Sequence, residues 1–130
     1  MNNNLHNDFV PYQPSLDLEE LGFNEPCFGC YFHNNENVVE YNPDGIPFNH
    51  NNRNSRISAP TFSQAFRFFR EKHNCVCEII RKEVGNHSEF IGWVYIDDRK
   101  IDVVSYWDSK SYEEAELACL LKLIEIVKTK

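Results

Sequence analysis

Three β-rich runs with very short connections dominate the C-terminal half of the sequence. The runs are CVCEIIRKEV (75–84), EFIGWVYI (89–96) and KIDVVSYW (100–107), and only GNHS and DDR separate them. Connections this short join antiparallel neighbours, because a parallel crossover needs a much longer segment. The runs therefore predict a three-stranded antiparallel sheet.

One helix is predicted before the first of these runs in the sequence and another after the last, because a capping box lies at each of these places. Thr61 and Gln64 have capping-box spacing and precede apolar residues at helical spacing, and Ser111 and Glu114 repeat the spacing. Helices on one face of a sheet bury its apolar side. Residues 59–130 are therefore predicted to form an α-β-β-β-α sandwich, and the chain is assigned to the α+β class.

The final helix is apolar on almost every side. The stripe predicted to face the sheet consists of Leu117, Leu120, Leu121, Ile124 and Val127. Small residues such as Ala115 and Ala118 lie around the other side and allow a close neighbour. In one interpretation the neighbour is the predicted helix that begins at Thr61, and in the other it is a second copy of the chain.

A short helix is predicted ahead of this core, in PSLDLEELGF (14–23). Ser15 is the expected N-cap, and Gly22 is the expected C-terminal stop. A β-hairpin is predicted next, from CFGCYFH (27–33) and NVVEY (37–41) around an asparagine-rich turn.

The rest of the N-terminal part is predicted to lack regular structure. Residues 1–13 are expected to be a flexible terminus, and residues 42–58 carry Pro, Gly and Asn without periodicity, which is typical of a long surface loop. Residues 14–58 would then be helix, hairpin and loop ahead of the core at 59–130. At 130 residues the chain is expected to be one domain.

Composition indicates a folded, soluble protein. Hydrophobic residues make up 42% of the chain, which is too high for a disordered segment, yet no apolar run is long enough to span a bilayer. The N-terminus lacks the pattern of a secretion signal. The five cysteines are an odd number outside a secretory context, so reduced thiols and a cytoplasmic location are predicted.

The acidic charge balance narrows the choice of partners. The formal net charge is −7, from 20 acidic and 13 basic side chains. This balance opposes sequence-independent nucleic-acid binding, which depends on clustered Lys and Arg. It suits either ordinary solubility or a basic protein partner.

Cysteine spacing raises the question of a metal site. CFGC contains Cys27 and Cys30, and Cys75 and Cys77 could complete a set of four zinc ligands. On a strand, however, residues three apart point to opposite faces. Packed core thiols are the alternative, and no metal or cofactor is predicted.

Motifs of catalysis are lacking in the sequence. It contains no His-Glu-x-x-His run, no Gly-x-Ser-x-Gly elbow and no glycine-rich phosphate loop. No nucleophile and base are placed within reach of each other by any sequence pattern. The chain is therefore predicted not to be an enzyme.

An aromatic face of the predicted sheet is the candidate binding site. If the DDRK turn pairs Ile96 with Ile101, one face collects Ile91, Trp93, Tyr95, Val104 and Tyr106. An open patch of this kind usually mediates contacts, and Trp and Tyr dominate interface energetics. The face is either covered by the chain's own residues 14–41 or used for a partner or ligand. A register error of one residue would exchange the two faces.

Residues 60–128 resemble a double-stranded-RNA-binding domain. GNHSEF (85–90) lies where that family has a Gly-Pro-x-His loop leading to Phe, and SYEEAELA (111–118) lies where it has Ser, lysines and Ala. The resemblance implies the same α-β-β-β-α fold.

The RNA-contacting lysines of that family are missing. Tyr112, Glu113 and Glu116 occupy their positions, whereas the packing alanine is kept as Ala115. Carboxylates at these positions would repel phosphates, so RNA binding by that mode is not expected.

A second resemblance concerns small uncharacterised proteins of phages and prophages of Bacteroides-type bacteria. LGFNEPCFGCY (21–31), SAPTFSQAFRFFREKH (58–73) and YEEAELACLLKLIEIVK (112–128) carry it. It implies a phage or prophage origin and an α/β sandwich, and it transfers no activity. With such an origin, the cytoplasm predicted above is that of a bacterial host cell.

Together these features predict a non-enzymatic protein that binds a host or phage protein, in host takeover or in inhibition of antiviral defence. A small-ligand protein that stacks a nucleotide-like base on the aromatic face is one alternative. A structural homo-oligomer is the other. A protein partner is predicted, and membrane or nucleic-acid binding is not.

Overall fold

The computed structural model describes residues 8–42, 44–51, 55–106 and 112–129. The elements are, in chain order, α1 (Tyr12–Glu20), β1 (Gly29–Phe32), β2 (Asn35–Tyr41), β3 (Arg56–Ala59), α2 (Phe62–His73), β4 (Cys75–Val84), β5 (His87–Ile96), β6 (Arg99–Tyr106) and α3 (Tyr112–Lys128). Helices and antiparallel sheets confirm the α+β class. The elements cluster into two compact units, an N-terminal unit up to Ala65 and a C-terminal unit from Phe66, so the boundary along the chain falls within the sequence of α2. The assignment to one domain stays a prediction.

The N-terminal unit contains a three-stranded antiparallel sheet in the order β2-β1-β3. The predicted hairpin of β1 and β2 is confirmed, with a tighter turn than expected because Phe32 already pairs with Asn35. Helix α1 lies against β3. Apolar side chains form a core in this unit. The buried residues of this core are Phe9, Tyr31, Val39, Ile57 and Ala59.

Helix α1 begins earlier than the sequence pattern predicted. Pro11 is at the N-cap, and Pro14 lies in the first turn, where the missing N–H has no intrahelical partner to lose. The predicted N-cap, Ser15, is inside the helix, and its hydroxyl donates to the carbonyl oxygen of Val10 at 3.2 Å. Gly22, with φ of 103°, follows the helix end as predicted.

The prediction of a surface loop over residues 42–58 is wrong in part. Residues 56–59 form β3, which pairs with β1, and Phe48 forms a bridge with Cys27. In the rest of this segment, asparagine side chains form hydrogen bonds with the backbone. Asn51 donates to the carbonyl oxygen of Phe23 at 2.7 Å and accepts from the backbone N–H of Ser58 at 3.1 Å. Side-chain amides therefore replace the backbone ladder that this irregular segment lacks.

The capping box at the start of α2 is confirmed. The backbone N–H of Gln64 donates to the Thr61 hydroxyl oxygen at 3.2 Å, and the backbone N–H of Thr61 donates to Gln64 Oε1 at 3.1 Å. Two donors that the helix cannot satisfy internally are thus paired.

Replacing Thr61 with alanine is expected to lower the free energy of unfolding by about 1 kcal/mol, because the N–H of Gln64 loses its acceptor. Ser63→Ala is the matched control, since Ser63 is exposed in the same turn. Urea denaturation followed by circular dichroism measures both. Equal losses in the two variants would contradict a capping role for Thr61.

The C-terminal unit contains the sheet β4-β5-β6, whose three strands are antiparallel as predicted. Its register differs from the predicted one. Ile96 pairs with Arg99 and not with Ile101, because Asp97 and Asp98 alone form the turn, both with positive φ. A bulge after Val94 then shifts the pairing again.

Helix α3 lies across all three strands of this sheet. Its buried residues are Ala115, Cys119, Leu120, Leu123 and Ile124. The predicted stripe is therefore wrong at Leu121, which is 45% exposed, while Leu117 and Val127 are half-buried. Ser111, the predicted N-cap, lies outside the described residues. The capping-box glutamate, Glu114, is in the first turns of the helix and exposed.

Candidate binding face

The sheet of the C-terminal unit has two chemically different faces, because successive residues of a strand alternate. The helix face contacts α3, as the ring contact of Phe90 with Tyr112 at 5.6 Å shows. The opposite face is called the second face. On β4 and β5 it consists of Val76, Glu78, Ile80, Lys82, His87, Glu89, Ile91, Trp93 and Tyr95.

Cross-strand pairing brings the apolar residues of the second face together. Val76 pairs with Tyr95, Glu78 with Trp93, and Ile80 with Ile91. Side chains directly opposite each other on an antiparallel pair have Cβ atoms about 5 Å apart.

Two of these apolar side chains are exposed. Val76 is 36% exposed and Ile80 is 43% exposed, and the neighbouring Ile91, Trp93 and Tyr95 are half-buried. These five side chains therefore form an apolar surface that solvent reaches, with the exposed Glu78 between Val76 and Ile80.

The predicted site residues divide into two groups. Ile91, Trp93 and Tyr95 share the second face, as expected. Val104 pairs with Gly92 and Tyr106 with Phe90, which are positions of the helix face. The face predicted for these two residues is wrong, because the bulge shifts the register by one residue; the short turn alone shifts it by two and would have kept the faces. Their part in the site stays a prediction. The structure describes the backbone pairing of Val104 and Tyr106 but not their side chains.

Strand β4 contributes residues that the sequence analysis did not assign to the site. Val76, Glu78 and Ile80 alternate with Cys75, Cys77 and Ile79, and only the first set lies on the second face. The alternation is visible in CVCEIIRKEV, but both sets contain apolar residues. Hydropathy alone therefore does not say which set meets α3.

The two carboxylates of the second face differ in environment. Glu78 is exposed, and the Tyr95 hydroxyl donates to its Oε1 over a long 3.5 Å. Glu89 is only 5% exposed, and none of the described residues donates a hydrogen bond to its Oε2. A carboxylate oxygen removed from water without a donor opposes folding.

On the helix face, two thiols contact each other. A hydrogen bond between Cys77 and Cys119 raises the pKa of Cys77, as burial also does, and it lowers the pKa of Cys119 against the opposing effect of burial. Cys119 is completely buried, so a substrate cannot reach its sulfur. The pair is a packing contact between β4 and α3.

The N-terminal unit places Cys27 near a buried histidine network. Asn42 donates to the carbonyl oxygen of Cys27 at 3.1 Å, and its Oδ1 lies 3.1 Å from Nε2 of His50. Burial, with the nearby charge of Glu25, raises the pKa of Cys27 to about 12. Its thiol therefore stays protonated at neutral pH, and Cys27 is not an activated nucleophile.

The cysteine pairs considered as zinc ligands do not converge. Cys27 and Cys30 are buried in the N-terminal unit, and within the described residues no three His, Cys, Asp or Glu side chains form a group that could hold a metal ion. Among the helices that the structure describes, none combines the length and apolar character required to cross a bilayer.

Comparisons with protein-family models, curated proteins and solved structures found no match to this chain. The resemblances to the RNA-binding domain and to phage proteins therefore stay predictions.

Proposed function

We propose that the chain is a non-enzymatic binding protein that contacts a protein partner through the second face. The observation that carries the proposal is the exposure of Val76 and Ile80 beside Trp93 and Tyr95. Water-exposed apolar patches of this kind favour contact with another molecule. Trp and Tyr supply large contact areas at low entropic cost.

The proposal includes the predicted α-β-β-β-α sandwich, in which α2 and α3 both cover the helix face. The position of α3 across the three strands supports this arrangement. With both helices on one side, the second face would be left for a partner. A phage or prophage origin would make that partner a protein of the bacterial host or of the phage.

Site-specific photocrosslinking tests the proposal. A photoreactive phenylalanine analogue is placed at Ile80 on the second face, or at Arg81, the next residue, which is exposed on the other side of the strand. Both proteins are irradiated in lysate of a Bacteroides-type host. A discrete adduct is expected with the probe at position 80 and not at position 81.

In a second experiment, the probe at position 80 is placed in the Trp93→Leu variant, and its adduct is compared with that of the unsubstituted protein. The adduct is expected to weaken at least about tenfold, because a central aromatic side chain carries a large share of the binding energy. Equal adducts at positions 80 and 81, or none at position 80, would refute binding through the second face. Circular dichroism verifies that each variant is folded.

The two alternatives remain separate proposals with their own tests. A nucleotide-like ligand stacked on Trp93 would co-purify and absorb in the nucleobase region, although Glu78 on the same face opposes a phosphate group. A structural homo-oligomer would elute from a sizing column earlier than a monomer.

A further inference from the structure

Two cysteines from different elements meet inside the C-terminal unit. Cys77 lies on the helix face of β4, because alternation along the strand puts its neighbours Val76 and Glu78 on the second face. Cys119 is completely buried in α3, which contacts β4. A hydrogen bond connects the two sulfurs. Thiols that already touch need only a small approach to form a disulfide.

The three thiols of this unit differ in their access to solvent. Cys77 is half-buried in an outer strand of the sheet, so a small solute reaches it. Cys119 is completely buried, and so is Cys75, whose thiol donates to the carbonyl oxygen of His73 at 3.3 Å. An oxidant from solution therefore meets Cys77 before the other two.

We propose that Cys77 and Cys119 are a redox switch, which closes to a disulfide when hydrogen peroxide oxidises Cys77. The bond would fasten α3 to β4, and a reducing thiol would open it again. The inference concerns the helix face and the interior of the C-terminal unit. It goes beyond the proposed function and does not depend on it.

The hydrogen bond prepares the pair for the first step. It lowers the pKa of Cys119 and raises the pKa of Cys77, so the pair loses its first proton from Cys119. The remaining proton can cross the hydrogen bond, which leaves the negative charge on Cys77. This thiolate attacks a peroxide oxygen and the O–O bond breaks. Hydroxide leaves and becomes water by taking up a proton, and Cys77 becomes a sulfenic acid.

The second step uses the thiol that is already in contact. Cys119 Sγ attacks Cys77 Sγ and loses its proton, the S–O bond breaks, and the sulfenic oxygen leaves as water. In total the two thiols lose two electrons and two protons, and one peroxide becomes two molecules of water. Peroxide never has to reach Cys119, because the attack comes from inside the unit. Contact between the sulfurs favours this step over further oxidation of Cys77.

The disulfide would close a long loop of the chain. This loop would contain the whole of β5 and β6 and the first part of α3. A bond that closes a long loop restricts the unfolded chain and thereby stabilises the folded unit. Oxidation is therefore expected to raise the urea midpoint of the C-terminal unit by at least about 1 M. Tryptophan fluorescence measures this midpoint, because both tryptophans belong to that unit.

Peptide mapping of the full chain identifies the bond. The folded protein is treated with hydrogen peroxide, catalase removes the excess, and free thiols are alkylated in urea before digestion with trypsin. The two peptides concerned are residues 73–81 and 111–122. Mass spectrometry is expected to find them joined. Dithiothreitol is expected to separate them and to return the urea midpoint to that of the reduced protein.

Two alanine variants assign the bond to one cysteine of β4. Residues 73–81 contain Cys75 as well as Cys77, so Cys75→Ala is the matched control. The joined peptides are expected to persist in Cys75→Ala and to be absent from Cys77→Ala. Peroxide is expected to leave the urea midpoint of Cys77→Ala unchanged.

Several results would overturn the inference. One is the absence of joined peptides from the oxidised, folded protein, whether Cys77 stays a thiol or becomes a sulfinic acid. Another is their loss in Cys75→Ala, which would assign the bond to the other thiol of β4. An unchanged urea midpoint after oxidation of the unsubstituted protein would also overturn it. That last comparison needs no substitution, so it decides the question even where a variant does not fold.

Discussion

Replacement of Leu123 with alanine is expected to lower the free energy of unfolding of the C-terminal unit by about 2–5 kcal/mol. Leu123 is completely buried, so the substitution removes apolar contacts and leaves a cavity that the surroundings fill only partly. The same substitution at Leu121, which is 45% exposed, is expected to cost less than about 0.5 kcal/mol. The two residues lie two positions apart on α3, so helix propensity changes equally in both.

Tryptophan fluorescence during urea denaturation measures this difference. Both tryptophans of the chain belong to the C-terminal unit, so the signal reports on that unit. A larger loss for Leu121→Ala than for Leu123→Ala would contradict the observed orientation of α3. It would favour the stripe predicted from the sequence.

Ile57→Ala is expected to cost about 2–5 kcal/mol in the N-terminal unit, for the same physical reason. Ile57 is 1% exposed in β3 and belongs to the core of that unit. Ile46 is the matched control, because it is 61% exposed in the same stretch of sequence. Its replacement by alanine is expected to change stability by less than about 0.5 kcal/mol.

Hydrogen exchange of the β1 amides measures the effects of Ile57→Ala and Ile46→Ala on the N-terminal unit, because β1 is the central strand of its sheet. Ile57→Ala is expected to reduce protection in β1, and Ile46→Ala to leave it unchanged. Equal protection in the two variants would mean that residues 56–59 do not contribute to the core. The prediction of an irregular surface segment over 42–58 would then regain support.

Local chemistry explains which parts of the fold could be predicted from the sequence. The capping box of Thr61 and Gln64 depends on residues three apart, and both of its hydrogen bonds are present. The β-rich runs 75–84, 89–96 and 100–107 are bounded by turn residues, and their strands were located within two residues. Strand β3 was missed because its four residues are too few to show a period.

Longer-range geometry explains the errors at the candidate site. Pairing of β5 with β6 depends on a two-residue turn at Asp97 and Asp98 and on a bulge after Val94. The turn shifts the pairing by two residues, which keeps the faces, and the bulge shifts it by one, which exchanges them. Neither has a strong local signature in the sequence. Val104 and Tyr106 were therefore assigned to the wrong face, whereas Trp93 and its neighbours on β5 were grouped correctly, since alternation within one strand does not depend on the turn.

The charges of β4 have a consequence for behaviour in concentrated solution. This strand is an outer member of its sheet, and Arg81, Lys82 and Glu83 make its second half strongly charged. Outer strands with such charges resist pairing with the strands of other molecules. The charged half of β4 is thus protected against edge-to-edge pairing with another molecule, which is a route by which sheet proteins form fibres.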